Sequence, residues 1–185
     1  AEYTKPYVAF MDGITMGGGV GLSAHGSHRI VTDRTRLAMP ETGIGFFPDV
    51  GGTWVLGQAE GEIGTYIGLT GASFGAADAL YAGFADYYMK ADRLGDLIAA
   101  LAALPAGADG TDVERAIRAL SEVAPPATLA QNRAAIDAAF AAETLEDILA
   151  ALTAQGTEFA QKTRETLLQK SPTSLKLTLA LLRAA

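Results

Sequence analysis

Between Met16 and Gly52, glycine and proline interrupt the chain so often that only short elements and tight turns fit. The stretch opens with Met16-Gly17-Gly18-Gly19-Val20-Gly21 and closes with Met39-Pro40-Glu41-Thr42-Gly43-Ile44-Gly45-Phe46-Phe47-Pro48-Asp49-Val50-Gly51-Gly52. Glycine reaches φ > 0 and lets a ligand approach the main chain closely. Two carboxylates, Glu41 and Asp49, stand eight residues apart in these turns. Carboxylates held in loops are candidate acid, base or nucleophile groups. Beside a glycine-led turn with free N–H groups, they suggest a site that stabilises an oxyanion.

The flanking pattern is that of an α/β protein. Tyr7–Met11 is a short apolar, β-prone run, and Gly17–His25 reads as a turn running into a short helix. Arg29–Thr32, Arg36–Met39 and Phe84–Met89 read as strands; Val50–Leu56, Glu62–Leu69 and Ala76–Tyr81 read as helices. From Arg93 onward the chain is alanine- and leucine-rich with helical spacing. Helices are expected over Arg93–Leu104, Asp112–Glu122, Leu129–Ala141, Leu145–Thr153, Glu158–Lys170 and Thr173–Arg183. Thr111 with Glu114 has the form of a capping box, and Thr144 with Asp147 is a weaker version of it. The division falls near residue 90: an α/β segment over 1–90 carrying the candidate site, then a helical region over 91–185.

Composition removes several classes of function. A formal charge of −7 disfavours a nucleic-acid partner, which needs a basic face. Without cysteine there is no disulfide, thiolate catalysis or Cys-ligated metal. No apolar run reaches the roughly 18 residues that span a bilayer, so no membrane partner is expected. The start at Ala1-Glu2-Tyr3 and the finish on Leu181-Leu182-Arg183-Ala184-Ala185 both read as cuts through a longer polypeptide.

Each candidate residue has a plain competitor. The Gly17–Gly21 cluster lacks the Lys-Ser/Thr of a phosphate loop and does not fit the dinucleotide G-x-G-x-x-G; a simple strand-to-helix turn competes with an oxyanion site. Glu41 competes with a solvated or capping loop acid, and Asp49, before Val50-Gly51-Gly52, with an N-cap. His25 and His28 are spaced to share a helix face, but a pair without a third ligand is more often structural than metal-binding. Gly21-Leu22-Ser23-Ala24-His25 fails the nucleophile pattern G-x-S-x-G at its last position. Phe46, Phe47 and Trp54 fit core packing and an acyl-pocket lining equally well.

These motifs resemble the crotonase (enoyl-CoA hydratase/isomerase) superfamily, and within it the 3-hydroxyisobutyryl-CoA hydrolase branch. The resemblance rests on Lys5–Ala9 through Asp12-Gly13, Met16–Gly21, Met39–Gly52, Leu69-Thr70-Gly71, Ala82–Asp86 and Ser171–Lys176. It implies the C-terminal part of a ββα spiral followed by helices. By that resemblance Gly18, with Gly17, offers a backbone N–H to a thioester carbonyl oxygen, Glu41 is the catalytic carboxylate, and Asp49 joins it in the site. Hydratases of the superfamily usually carry a second Glu at the position of Gly21, so its absence favours the hydrolase. The implied substrate is a short branched 3-hydroxyacyl-CoA, most simply 3-hydroxyisobutyryl-CoA of valine breakdown. Coenzyme A enters as part of the substrate, and no metal or other cofactor is expected. Family members are longer and carry the second oxyanion N–H ahead of this chain, so a complementary N-terminal fragment or a homo-oligomer is an expected partner. The high alanine content points to a bacterial cytoplasm.

Overall fold

The computed structural model describes residues 3–185. Strand β1 (Val8–Met11) and strand β2 (Ile14–Met16) are followed by helix α1 (Gly18–Ser23), then by β3 (His28–Thr32) and β4 (Arg36–Ala38). The first strand of each pair joins one sheet and the second joins another. β1, β3 and β5 (Tyr87–Met89) form a parallel sheet with β3 in the middle, while β2 and β4 form a two-stranded parallel sheet. Parallel neighbours need a crossover between them, and α1 supplies it for both sheets at once. Two strands and a helix, repeated, make the expected ββα spiral.

β2 was not legible in the sequence. It is three residues long, and Ile14 at its start is exposed, so it lacks the apolar run that marks β1. The expected strand from Phe84 shortens to β5 because Phe84 N–H still bonds Ala79 O, closing helix α4 (Ala76–Tyr81). The expected helix from Val50 begins later, as α2 (Gly52–Gly57), because Val50 and Gly51 are both left-handed, with φ 47° and 76°.

Helix α3 (Ile63–Thr70) is the centre of the molecule, with Ile63, Thr65, Ile67 and Leu69 all buried. Gly64 makes this possible: a Cβ there would lie 1.9 Å from Leu56 O of α2, so only glycine permits the two backbones to approach. Gly68 does the same more loosely toward Leu182. Against α3 pack α7 (Thr128–Phe140), α9 (Glu158–Leu168) and α10 (Pro172–Ala184), and α8 (Leu145–Gln155) packs on those three. Ile136, Phe140, Leu152, Leu167 and Leu175 of these helices share one apolar cluster with Met11, Val31, Leu37 and Phe84 of the strand region. A smaller cluster of Ile30, Met89, Leu97, Val113 and Ile117 seats α5 (Leu94–Ala102) and α6 (Gly110–Arg118) near β3 and β5.

The capping box of α6 differs from the one expected at Thr111 and Glu114. Asp109 is the N-cap, accepting from Thr111 N–H and Asp112 N–H, and Asp112 returns a bond to Asp109 N–H. The Asp109 carboxylate accepts both first-turn N–H groups from two residues ahead of Thr111, so the helix starts earlier. Thr144 does cap α8 as expected, accepting from Asp147 N–H.

Candidate active site

Glu41 opens a 3-10 turn, Glu41–Ile44, fastened from two directions. Thr42 Oγ1 donates to Leu69 O at the end of α3, and Ser171 N–H at the start of α10 donates to Thr42 O. The C-terminal helix thus locks the turn that carries the carboxylate. In the sequence Ser171–Lys176 stands only as part of the family resemblance; in the fold Ser171 N–H makes this clasp.

The Glu41 side chain points inward. The residue is only 5 % exposed, and Oε2 has no hydrogen-bond partner. Oε1 lies against the main chain of Gly17, 3.6 Å from where a Cβ on that residue would be. Burial pushes the carboxyl above the ordinary glutamate range, and the charge of Asp49 pushes it further in the same direction. A buried acceptor with no donor is costly unless it serves a purpose. Gly17 adopts φ 51° and ψ −117°, a conformation suited to glycine, and Gly18 is the first residue of α1. Gly18 is exposed, and as the first residue of the helix its N–H has no acceptor within it.

Asp49 is exposed and lies close enough to act on Glu41 electrostatically. It does not cap α2: Gly51 is the N-cap, with no side-chain bond, and only the Asp49 carbonyl accepts, from Gly52 N–H. Its carboxylate is left free of that duty.

Gly21 and Val50 interlock. A Cβ at Gly21 would meet Val50 Cβ at 2.5 Å, so the space of a side chain at 21 is already filled. Val50 is the one non-glycine residue with positive φ among the described residues. For a β-branched residue that conformation is an outlier, costing about 1–3 kcal/mol, and such strain gathers at functional sites. Nothing in the sequence around Val50 signals it.

His25 and His28 do not share a helix face. His25 follows α1, and its Nε2 donates to Val50 O at 3.0 Å; His28 lies in β3 and meets Ser27 Oγ through Nδ1. Among the described residues no three His, Asp or Glu side chains are grouped to hold a metal ion. Phe46 and Trp54 are exposed near the Glu41–Gly52 segment, outside the apolar core, and the Phe46 and Phe47 rings stack at 4.4 Å.

A family model described as enoyl-CoA hydratase/isomerase matches residues 1–185. The chain is 43 % identical over 178 residues to a mitochondrial 3-hydroxyisobutyryl-CoA hydrolase of Xenopus laevis, covering 94 % of this chain and 46 % of that protein. It is 42 % identical over 202 residues to a protein of Neurospora crassa named small ribosomal subunit protein mS47, covering 99 % of this chain and 40 % of that one. Among solved structures it is similar to a carnitinyl-CoA dehydratase from Mycobacterium thermoresistibile, with TM-score 0.91 and 43 % identity over 98 % of this chain and 52 % of that one. The chain spans about half the length of the curated relatives it matches. With a ββα spiral, a glycine-led helix and a buried Glu beside it, the chain belongs to the enoyl-CoA hydratase/isomerase family, the crotonases.

Proposed function

We propose that this chain carries the catalytic carboxylates of a coenzyme A thioester hydrolase acting on a short branched 3-hydroxyacyl-CoA, 3-hydroxyisobutyryl-CoA being the specific substrate and valine breakdown its setting. The observation that supports this reading is Glu41, buried and unpartnered at Oε2 against Gly17. In the proposal the thioester carbonyl oxygen accepts from Gly18 N–H, with Gly17 giving close access. Glu41 either attacks the carbonyl carbon or draws a proton from the attacking water. Asp49 holds the 3-hydroxyl or assists transfer of the water's proton to the departing thiolate. Water adds, the C–S bond breaks, and the products are the free acid and coenzyme A. No metal or other cofactor takes part.

The Gly21–Val50 interlock supports hydrolase over hydratase. A second carboxylate at position 21 is excluded while Val50 stands there, and a lost proton-handling group typically costs about 10²–10⁴-fold. Thiol release from 3-hydroxyisobutyryl-CoA, run beside loss of enoyl absorbance, tests the reading. The hydrolase releases thiol and leaves the enoyl-CoA untouched; enoyl loss without thiol release would favour the hydratase and isomerase alternative.

A complementary polypeptide, or another copy of the chain, belongs to the proposal as the partner that completes the site. Among the described residues β1 has no strand on its outer side, and Tyr7, Phe10, Ile14 and Leu22 are exposed in this region. One missing oxyanion donor costs roughly 10²–10³-fold in rate, so the chain alone would be an inactive or slow piece. A bacterial cytoplasm remains the proposed compartment, supported by the alanine-rich composition and the mycobacterial structure; the Xenopus relative is named mitochondrial. No helix among the described residues is long and apolar enough to cross a membrane.

A further inference from the structure

The proposed chemistry uses Gly17, Gly18, Glu41 and Asp49 but leaves His25 without a task. Its geometry supplies one. A carbonyl oxygen only accepts, so the ring donates to Val50 O through a proton on Nε2. The imidazole also lies over the turn: a Cβ on Gly51 would come within 2.8 Å of Nε2. On the far side the ring meets Trp54 of α2, with centroids 6.1 Å apart. Gly21, four residues before His25, takes the Val50 side chain. Thus the end of α1 grips the Val50–Gly51 turn by both its carbonyl and its side chain. The start of the same short helix lies against Glu41.

We infer that His25 is a positioning residue: by donating to the Val50 carbonyl it holds the left-handed turn in place and keeps Asp49 beside the Glu41 carboxylate. The kinetic part of this inference rests on the hydrolase reading; the structural part does not. The charged groups nearby are few. The charge of Asp49 acts on Glu41, and Lys170 Nζ lies near Gly43 of the same turn. His25 shares surface hollows with the Arg29–Asp86 ion pair and with Lys5.

Two variants separate the hydrogen bond from the bulk of the ring. His25→Phe keeps a ring against Trp54 and removes the donor; His25→Gln keeps an N–H donor at similar reach and removes the ring. The titration midpoint of Glu41, followed by carbon NMR of its labelled carboxyl, reports how near Asp49 remains. The inference expects the midpoint to fall in His25→Phe, in the direction that Asp49→Asn moves it, and to stay near wild type in His25→Gln. It expects kcat for thiol release to fall about 10- to 100-fold in His25→Phe, with KM little changed and with recovery in His25→Gln. A wild-type midpoint in His25→Phe overturns it, as does a His25→Gln variant impaired as much as His25→Phe. A midpoint that Asp49→Asn leaves unmoved overturns it too. If the NMR midpoints behave as expected while the native assembly, with its partner bound, releases no thiol, the hydrolase reading fails and the positioning role stands.

Discussion

At the scale of single residues, Glu41 trades stability for reactivity. Its carboxyl binds a proton more readily in the folded chain than in the unfolded one, because burial and Asp49 both disfavour the charge. With the folded pKa raised, the unfolded state binds fewer protons within the window, so stability falls as pH rises from the ordinary glutamate value of 4.5 through the folded pKa. Glu41→Gln removes that penalty. We expect it to be more stable than the wild type near neutral pH, with the advantage shrinking as pH falls toward the ordinary glutamate range; urea unfolding across that range measures it. Activity takes the opposite sign: thiol release that needs ionised Glu41 rises with pH through a midpoint above that of an ordinary glutamate. Glu41 was legible as a candidate because proline and glycines frame it. Its inward direction was not, because it depends on Thr42 and Ser171, which are 129 residues apart in sequence and joined only by folding.

At the scale of elements, two glycines carry the packing and differ in what they would meet. Gly21→Ala drives a Cβ into the Val50 side chain, and overpacking of this kind costs about 1–3 kcal/mol. Because the obstacle is a side chain, Val50→Gly should restore most of the loss in the double variant, and it also removes the unfavourable φ of Val50. Gly64→Ala meets the Leu56 carbonyl oxygen, a backbone atom no second substitution removes. Its melting temperature should fall further than that of Gly21→Ala, with no single-site rescue; thermal unfolding of the three variants checks the order. Most helices were legible because their apolar spacing is local: α4 falls on the expected residues and α7 to α10 within two residues or so. The start of α6 was misread because two capping patterns overlap there, and Asp109 reaches the first turn before Thr111 can. The left-handed Val50 was not legible at all. It is set by Gly21 and His25, which are distant in sequence and reach it only when α1 is in place.

At the scale of the whole molecule, β1 is an edge of the three-stranded parallel sheet among the described residues, and several apolar side chains are exposed nearby. Unpaired edges of this kind invite pairing with another chain. We expect native mass spectrometry to find a species heavier than the 19.1 kDa chain, formed with a second polypeptide or another copy, and denaturation to release the components. A native mass of one chain alone would argue against that partner. The alternation of short strands and helices was legible in the sequence, and the ββα spiral only through the family resemblance; β2 and the division into two sheets were not, since pairing register leaves little mark on strands of three residues. The central claim is that Glu41 cleaves a coenzyme A thioester, and it is tested by thiol release from 3-hydroxyisobutyryl-CoA measured on the native assembly with Glu41 and with Glu41→Gln. Release by the first is expected, with a loss of about 10²-fold or more in the second. Near-equal release by both would contradict it.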